Sequence, residues 1–172
     1  HTHKSLPHMG AIPAGRGDEN LLADATPEVK EYYNKFKTAL DNGVLLEPKG
    51  SSAYDLYNLL NASNAKPELK RIIKRNLVSA LEDGAMIFIQ NQLSGKKDVD
   101  SYNEKVEKEQ LKTWQNGIDN LGAAIQILGE DHYLTPSYKA RRLYLEAYVL
   151  YSTMTTHDRN YTTEKLEACI RK

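Results

Sequence analysis

Trp114-Gln115-Asn116-Gly117-Ile118-Asp119-Asn120-Leu121-Gly122-Ala123-Ala124-Ile125-Gln126-Ile127-Leu128, followed after a short polar link by Thr135-Pro136-Ser137, decides the fold. In the first stretch Trp114, Ile118, Leu121, Ala124, Ile125 and Leu128 recur at steps of three and four, one stripe of a 3.6-residue helix. Leu111 and Val106 extend that stripe backwards, so the helix is expected over about 103–128. Thr135-Pro136 then opens a new one, with Thr135 as cap and proline at the first helical position, where its missing N–H costs nothing.

The same grammar occurs twice upstream. Thr26-Pro27-Glu28 opens a helix predicted over 27–42, with Val29, Tyr33, Phe36 and Leu40 in one stripe. Asn42-Gly43 ends it, Gly43 being suited to the left-handed position past a helix end. Ser52 can cap a short helix carrying Ala53, Leu56, Tyr57 and Leu60. Lys66-Pro67-Glu68 opens a long helix over 67–94, expected to bury Leu69, Ile73, Leu77, Ala80, Leu81, Gly84, Ile87 and Phe88. A fifth helix is expected over 136–154 and a sixth from about Tyr161, with Cys169 on its apolar side. The strand-like run Ala85–Ile89 lies inside a longer helical pattern, so the chain reads as all-α.

Short links between long amphipathic helices favour antiparallel hairpins, and some positions repeat between helices. Trp114, Gly117, Leu121 and Ala124 have the spacing of the second helix of a tetratricopeptide repeat. Leu143, Ala147 and Leu150 match bulky, small and bulky positions of that repeat's first helix, and Gly84 and Ile87 match the same small and bulky positions. The chain thus resembles a degenerate, elongated tetratricopeptide-type array over about residues 67–172. Glu146 and Asp83 stand where the family has leucine, and the spacing from Gly84 to Trp114 exceeds that of the family. The resemblance implies antiparallel helical hairpins stacked in a right-handed array, whose concave face binds peptides or other domains. In that register Arg141, Tyr144, Tyr148 and Tyr151 fall where the family's ligand-facing residues lie.

The residues themselves support two readings of that row. Leu143, Ala147, Leu150 and Met154 form one stripe of the fifth helix; Arg141, Tyr144, Tyr148 and Tyr151 form a second. One stripe suffices to dock a helix, so the second needs another neighbour or a ligand. Tyrosine and arginine are the types that dominate interface hot spots, which favours a partner; packing against a sixth helix would equally account for them.

Composition narrows the alternatives. Lys plus Arg and Asp plus Glu both total 23, so no long-range field draws in nucleic acid. Lys70, Arg71, Lys74 and Arg75 make a local basic band that a nucleic acid or acidic peptide could use, although charge runs are mostly solvated helix faces. No apolar run is long enough to span a bilayer. The single cysteine excludes an intrachain disulfide and favours a reducing, cytoplasmic setting. No HExxH, CxxC or phosphate-loop pattern appears, and no nucleophile stands beside a base, so neither a cofactor nor an enzymatic activity is expected.

Residues 1–25 read as a lead-in, its first ten like an expression-vector remnant. A helical pair over 26–65 and the repeat-like hairpins over 66–172 follow, expected to form one domain over 26–172. The chain ends in mid-helix at Ala168–Lys172, without a Gly or Pro stop, and is expected to be a piece of a longer protein. The function this suggests is a non-enzymatic scaffold for a protein or peptide partner. Self-assembly into a helical bundle is the alternative, and a nucleic-acid-associated domain using the basic band is a third.

Overall fold

The computed structural model describes residues 20–93 and 104–153, with side chains described at 20–87, 89, 90 and 111–150. Val106 and Phe88 as core residues, the Tyr151 and Met154 side chains, and the sixth helix with Cys169 lie outside the described part. Within it the protein is all-α, in the order α1 (Pro27–Asp41), α2 (Ala53–Ala62), α3 (Pro67–Leu93), α4 (Glu104–Leu128) and α5 (Thr135–Thr153). Two compact units divide between Ala80 and Leu81, inside α3.

The first unit is set by its caps. The Thr26 hydroxyl accepts the Val29 N–H at 3.4 Å, and Pro27 occupies the first turn of α1. At the other end Gly43 takes a φ of 68°. Its N–H donates to the Leu40 carbonyl and that of Val44 to Ala39, at 3.0 and 2.8 Å. This is the reciprocal closure that lets orphan carbonyls find donors. Ser52 and Asp55 cap α2 mutually: the Asp55 N–H donates to the Ser52 hydroxyl, and the Ser52 N–H and hydroxyl donate to the Asp55 carboxylate. That carboxylate also receives the Gly50 N–H at 2.7 Å.

α1 packs on α2, burying Val29, Tyr33, Phe36 and Ala39 along one and Ala53, Leu56, Tyr57 and Leu60 along the other. Each of the larger side chains among them, such as Val29, Phe36, Leu56 and Leu60, contributes about 1.5–3 kcal/mol when fully buried. Pro67 begins α3 as its sequence predicts. The Lys70 ammonium then donates to the Asn61 and Ser63 carbonyls, both at 2.7 Å, where α2 leaves carbonyls without helical donors.

The buried line of α3 differs from the predicted one in its second half. Leu69, Ile73, Leu77, Leu81, Ala85 and Ile89 are buried, whereas Ile87 is 56% exposed and Ala80 and Gly84 are half-buried. A step of four overshoots a full turn by about 40°. The line therefore winds around the helix and, by Ala85, has left the side that carries Ala80, Gly84 and Ile87.

In the second unit α4 and α5 form an antiparallel hairpin. Three contacts fix the direction: Gly129 meets Thr135, Gly122 meets Arg142, and Trp114 meets Tyr148, one number falling as the other rises. The α4 stripe is as read from sequence at Trp114, Ile118, Leu121, Ala124 and Ile125, all buried, with Leu111 and Leu128 half-buried.

Thr135 plays a different part from the one expected. The Tyr138 N–H donates to the Leu134 carbonyl, so Leu134 caps α5 and Thr135 is already helical. The Thr135 hydroxyl, fully buried, donates backwards to the Gly129 carbonyl at 2.7 Å, tying α5 to the end of α4.

Candidate functional site

α5 is the helix on which the sequence places its candidate row, and its buried side is not the one expected to dock. Leu143 is 64% and Leu150 47% exposed, and Ala147 is exposed between them. The sealed residues are Tyr138 and Leu145, each 1% exposed. Seven residues are two turns of a helix, so Tyr138 and Leu145 lie on one line, with Arg141 beside it. The stripe Leu143, Ala147, Leu150 lies on the far side and faces outward.

Two contacts hold the inward side of α5. The Glu82 carboxylate of α3 receives the Tyr138 hydroxyl at 2.6 Å on one oxygen and pairs with the Arg141 guanidinium on the other. Arg141 also lies 5.8 Å from the centre of the Tyr138 ring. Burial pushes the Tyr138 phenol well above its ordinary pKa, and the Glu82 carboxylate accepting its proton acts in the same direction. A shared carboxylate with both partners in place leaves no buried charge uncompensated. The second contact is the edge of Tyr148 against Trp114, at 4.5 Å and 84° between rings, the T-shaped arrangement that aromatic quadrupoles favour.

The predicted partner-binding residues therefore divide. Arg141 is half-buried and bound to Glu82; Tyr148 is half-buried against Trp114. Tyr144 is 41% exposed and lies 6.4 Å from Tyr148, centre to centre. The helical backbone brings Tyr151 onto the same side, one turn beyond Tyr148. Among the described members of the row, Tyr144 is the most exposed, next to Leu143 and Ala147.

On the other flank of the exposed stripe runs an open slot of about 480 Å³ between α4 and α5. Ile118, Val149 and Leu150 supply its apolar lining, and Gln115, Asp119, Arg142 and Glu146 its polar one. Arg142 pairs with Glu146 at 2.8 Å, and Gln115 donates to Asp119 at 3.0 Å. The slot had no signal in the sequence, because it arises from the hairpin pairing and not from either helix alone. Glu82 was equally hidden: its partners lie 56 and 59 residues away.

The basic band divides too. Lys70 closes α2, and Lys74 is half-buried, while Arg71 and Arg75 are exposed. His132 accepts the Leu134 N–H through Nδ1 at 3.3 Å and stands beside the exposed Tyr133 ring in the α4–α5 turn. Among the described residues no cluster of three or more His, Cys, Asp or Glu side chains could hold a metal ion, and no helix is long and apolar enough to cross a membrane. Comparison with protein-family models, with curated proteins and with solved structures finds no match for the chain.

Proposed function

We propose that this chain is a non-enzymatic protein-interaction module of tetratricopeptide-like, right-handed stacked hairpins, in which α5 offers a peptide or a neighbouring domain its docking surface. One observation carries the reading. The inward side of α5 is already filled by Tyr138, Leu145 and the Glu82 contact, yet Leu143 and Tyr144 remain outside, with Leu150 two turns on and Ala147 exposed between them. Scattered exposed leucines need no explanation, but a contiguous apolar and aromatic strip on one helix marks an interaction surface. The half-buried Tyr148 and Arg141 hold the inward side of α5 through Trp114 and Glu82.

The test compares capture of partners from a cell extract by the intact chain and by a Leu143→Glu, Tyr144→Ala double variant. Both positions are exposed, so the far-UV helical signal is expected to stay unchanged while a specifically captured protein is lost. Equal capture by both chains would overturn the reading. Concentration-dependent growth of the intact chain's mass in light scattering, abolished by the same double variant, would give the strip to a second copy of the chain instead. The basic band lends less support to nucleic acid, since Lys70 is engaged by the α2 carbonyls.

A further inference from the structure

We infer that the slot between α4 and α5 receives an amphipathic helix of a partner protein, with an apolar side chain against Ile118, Val149 and Leu150 and a lysine or arginine beside it facing Asp119 and Glu146. This rests on the interaction reading above and names the partner's chemistry. Three features of the slot point to it.

The first is backbone chemistry. Both walls are helices, whose N–H and C=O groups are satisfied within each helix. An extended peptide gains its affinity by adding main-chain hydrogen bonds to an exposed strand edge, and these walls offer none. A helix brings its own backbone already satisfied and needs only side-chain contact.

The second is length. On α5 the lining runs from Arg142 to Leu150, about 12 Å of helix axis. That matches two turns of an occupant, whose apolar residues at i and i+4 or i+7 are the anchors of helix-in-groove recognition. Leu150 belongs both to the slot and to the exposed strip with Leu143, so a helix lying in the slot also covers the edge of the strip.

The third is charge. Among the described lining residues two carboxylates, Asp119 and Glu146, stand against one guanidinium, that of Arg142. Arg142 is bound to Glu146 and reaches across to α4, its Nη1 3.5 Å from where a side chain at Gly122 would begin. The described lining thus carries a net negative charge and favours a cation on the occupant. Because these groups are solvent-accessible, the charge governs selection among partners more than the strength of binding.

The experiment titrates the isotope-labelled full chain with two synthetic amphipathic peptides of about 18 residues, long enough to hold a helix. They share one leucine stripe; one carries lysines beside it and the other glutamates. The lysine peptide is expected to shift the methyl resonances of Ile118, Val149 and Leu150, with the glutamate peptide binding about threefold to fivefold more weakly. Asp119→Asn brings the described lining to neutrality and is expected to erase most of that preference while the same methyls still shift. No binding by either peptide, or no preference in the wild-type chain, would overturn the inference. Shifts confined to Leu143 and Tyr144 would also overturn it, while leaving the broader interaction reading standing. Contacts from Leu150 to residues 161–172 of the same chain would overturn it as well, by filling the slot from within.

Discussion

Asp55 and Tyr138 show at the residue scale how a single polar group ties separate segments together within each unit. Asp55 accepts the Ser52 hydroxyl and the N–H groups of Gly50 and Ser52, and these bonds hold its carboxyl below the ordinary carboxylate value. A carboxyl depressed in the folded state stabilises the fold above its unfolded pKa of about 4, and that contribution is lost as pH falls through the folded value. Urea midpoints measured near neutrality and near pH 3 are therefore expected to differ less for Asp55→Asn than for the wild type, since the amide has no proton to gain. Ser52, fully buried, is expected to cost about 1 kcal/mol when changed to alanine, measured at neutral pH. In the second unit Tyr138→Phe keeps the ring and removes the hydroxyl from Glu82. The expected loss is about 1–2 kcal/mol in chemical denaturation, because the carboxylate retains Arg141.

On the element scale, α5 makes the sharpest forecast, because two leucines two residues apart have opposite surroundings. Leu145→Ala is expected to cost about 2–5 kcal/mol, the range for truncating a sealed core side chain. Leu143→Ala is expected to stay within about 0.5 kcal/mol of the wild type in the same melts. Equal losses would mean that the outward strip is part of the core. The contrast also shows what the sequence could reveal. The starts of α1, α2 and α3 were legible because Thr26, Ser52, Pro27 and Pro67 act on backbone within a few residues of themselves. The α4 stripe was legible because its bulkiest residues, Trp114, Ile118, Leu121 and Ile125, share one side. α5 carries apolar and aromatic residues around much of its circumference, so periodicity yields several stripes and cannot rank them. The choice is made by Glu82, across 56 residues of chain from Tyr138, and by Trp114, and no local pattern announces either contact. Ile87 was misplaced for a related reason, since a stripe extrapolated straight along α3 misses the slow winding of its buried line.

For the whole molecule, the division between Ala80 and Leu81 gives each half its own core, and the one tryptophan reports on the second alone. Phe36→Ala, in the first core, is expected to cost about 3–5 kcal/mol there. It should lower the far-UV melting transition while leaving the Trp114 fluorescence transition nearly in place. Leu121→Ala is expected to move the fluorescence transition directly. Coincident shifts of both signals for both variants would mean the two cores melt as one. A different consequence follows from the bare backbone under Arg142. At Gly122 a methyl group would meet the guanidinium at ordinary contact distance and nothing closer. Helix interiors gain up to about 1 kcal/mol when glycine becomes alanine, so Gly122→Ala is expected to raise the temperature at which the α4–α5 pair melts. Space for a side chain at Gly122 thus goes unused, and one methyl there would convert idle room beneath the guanidinium into helix propensity.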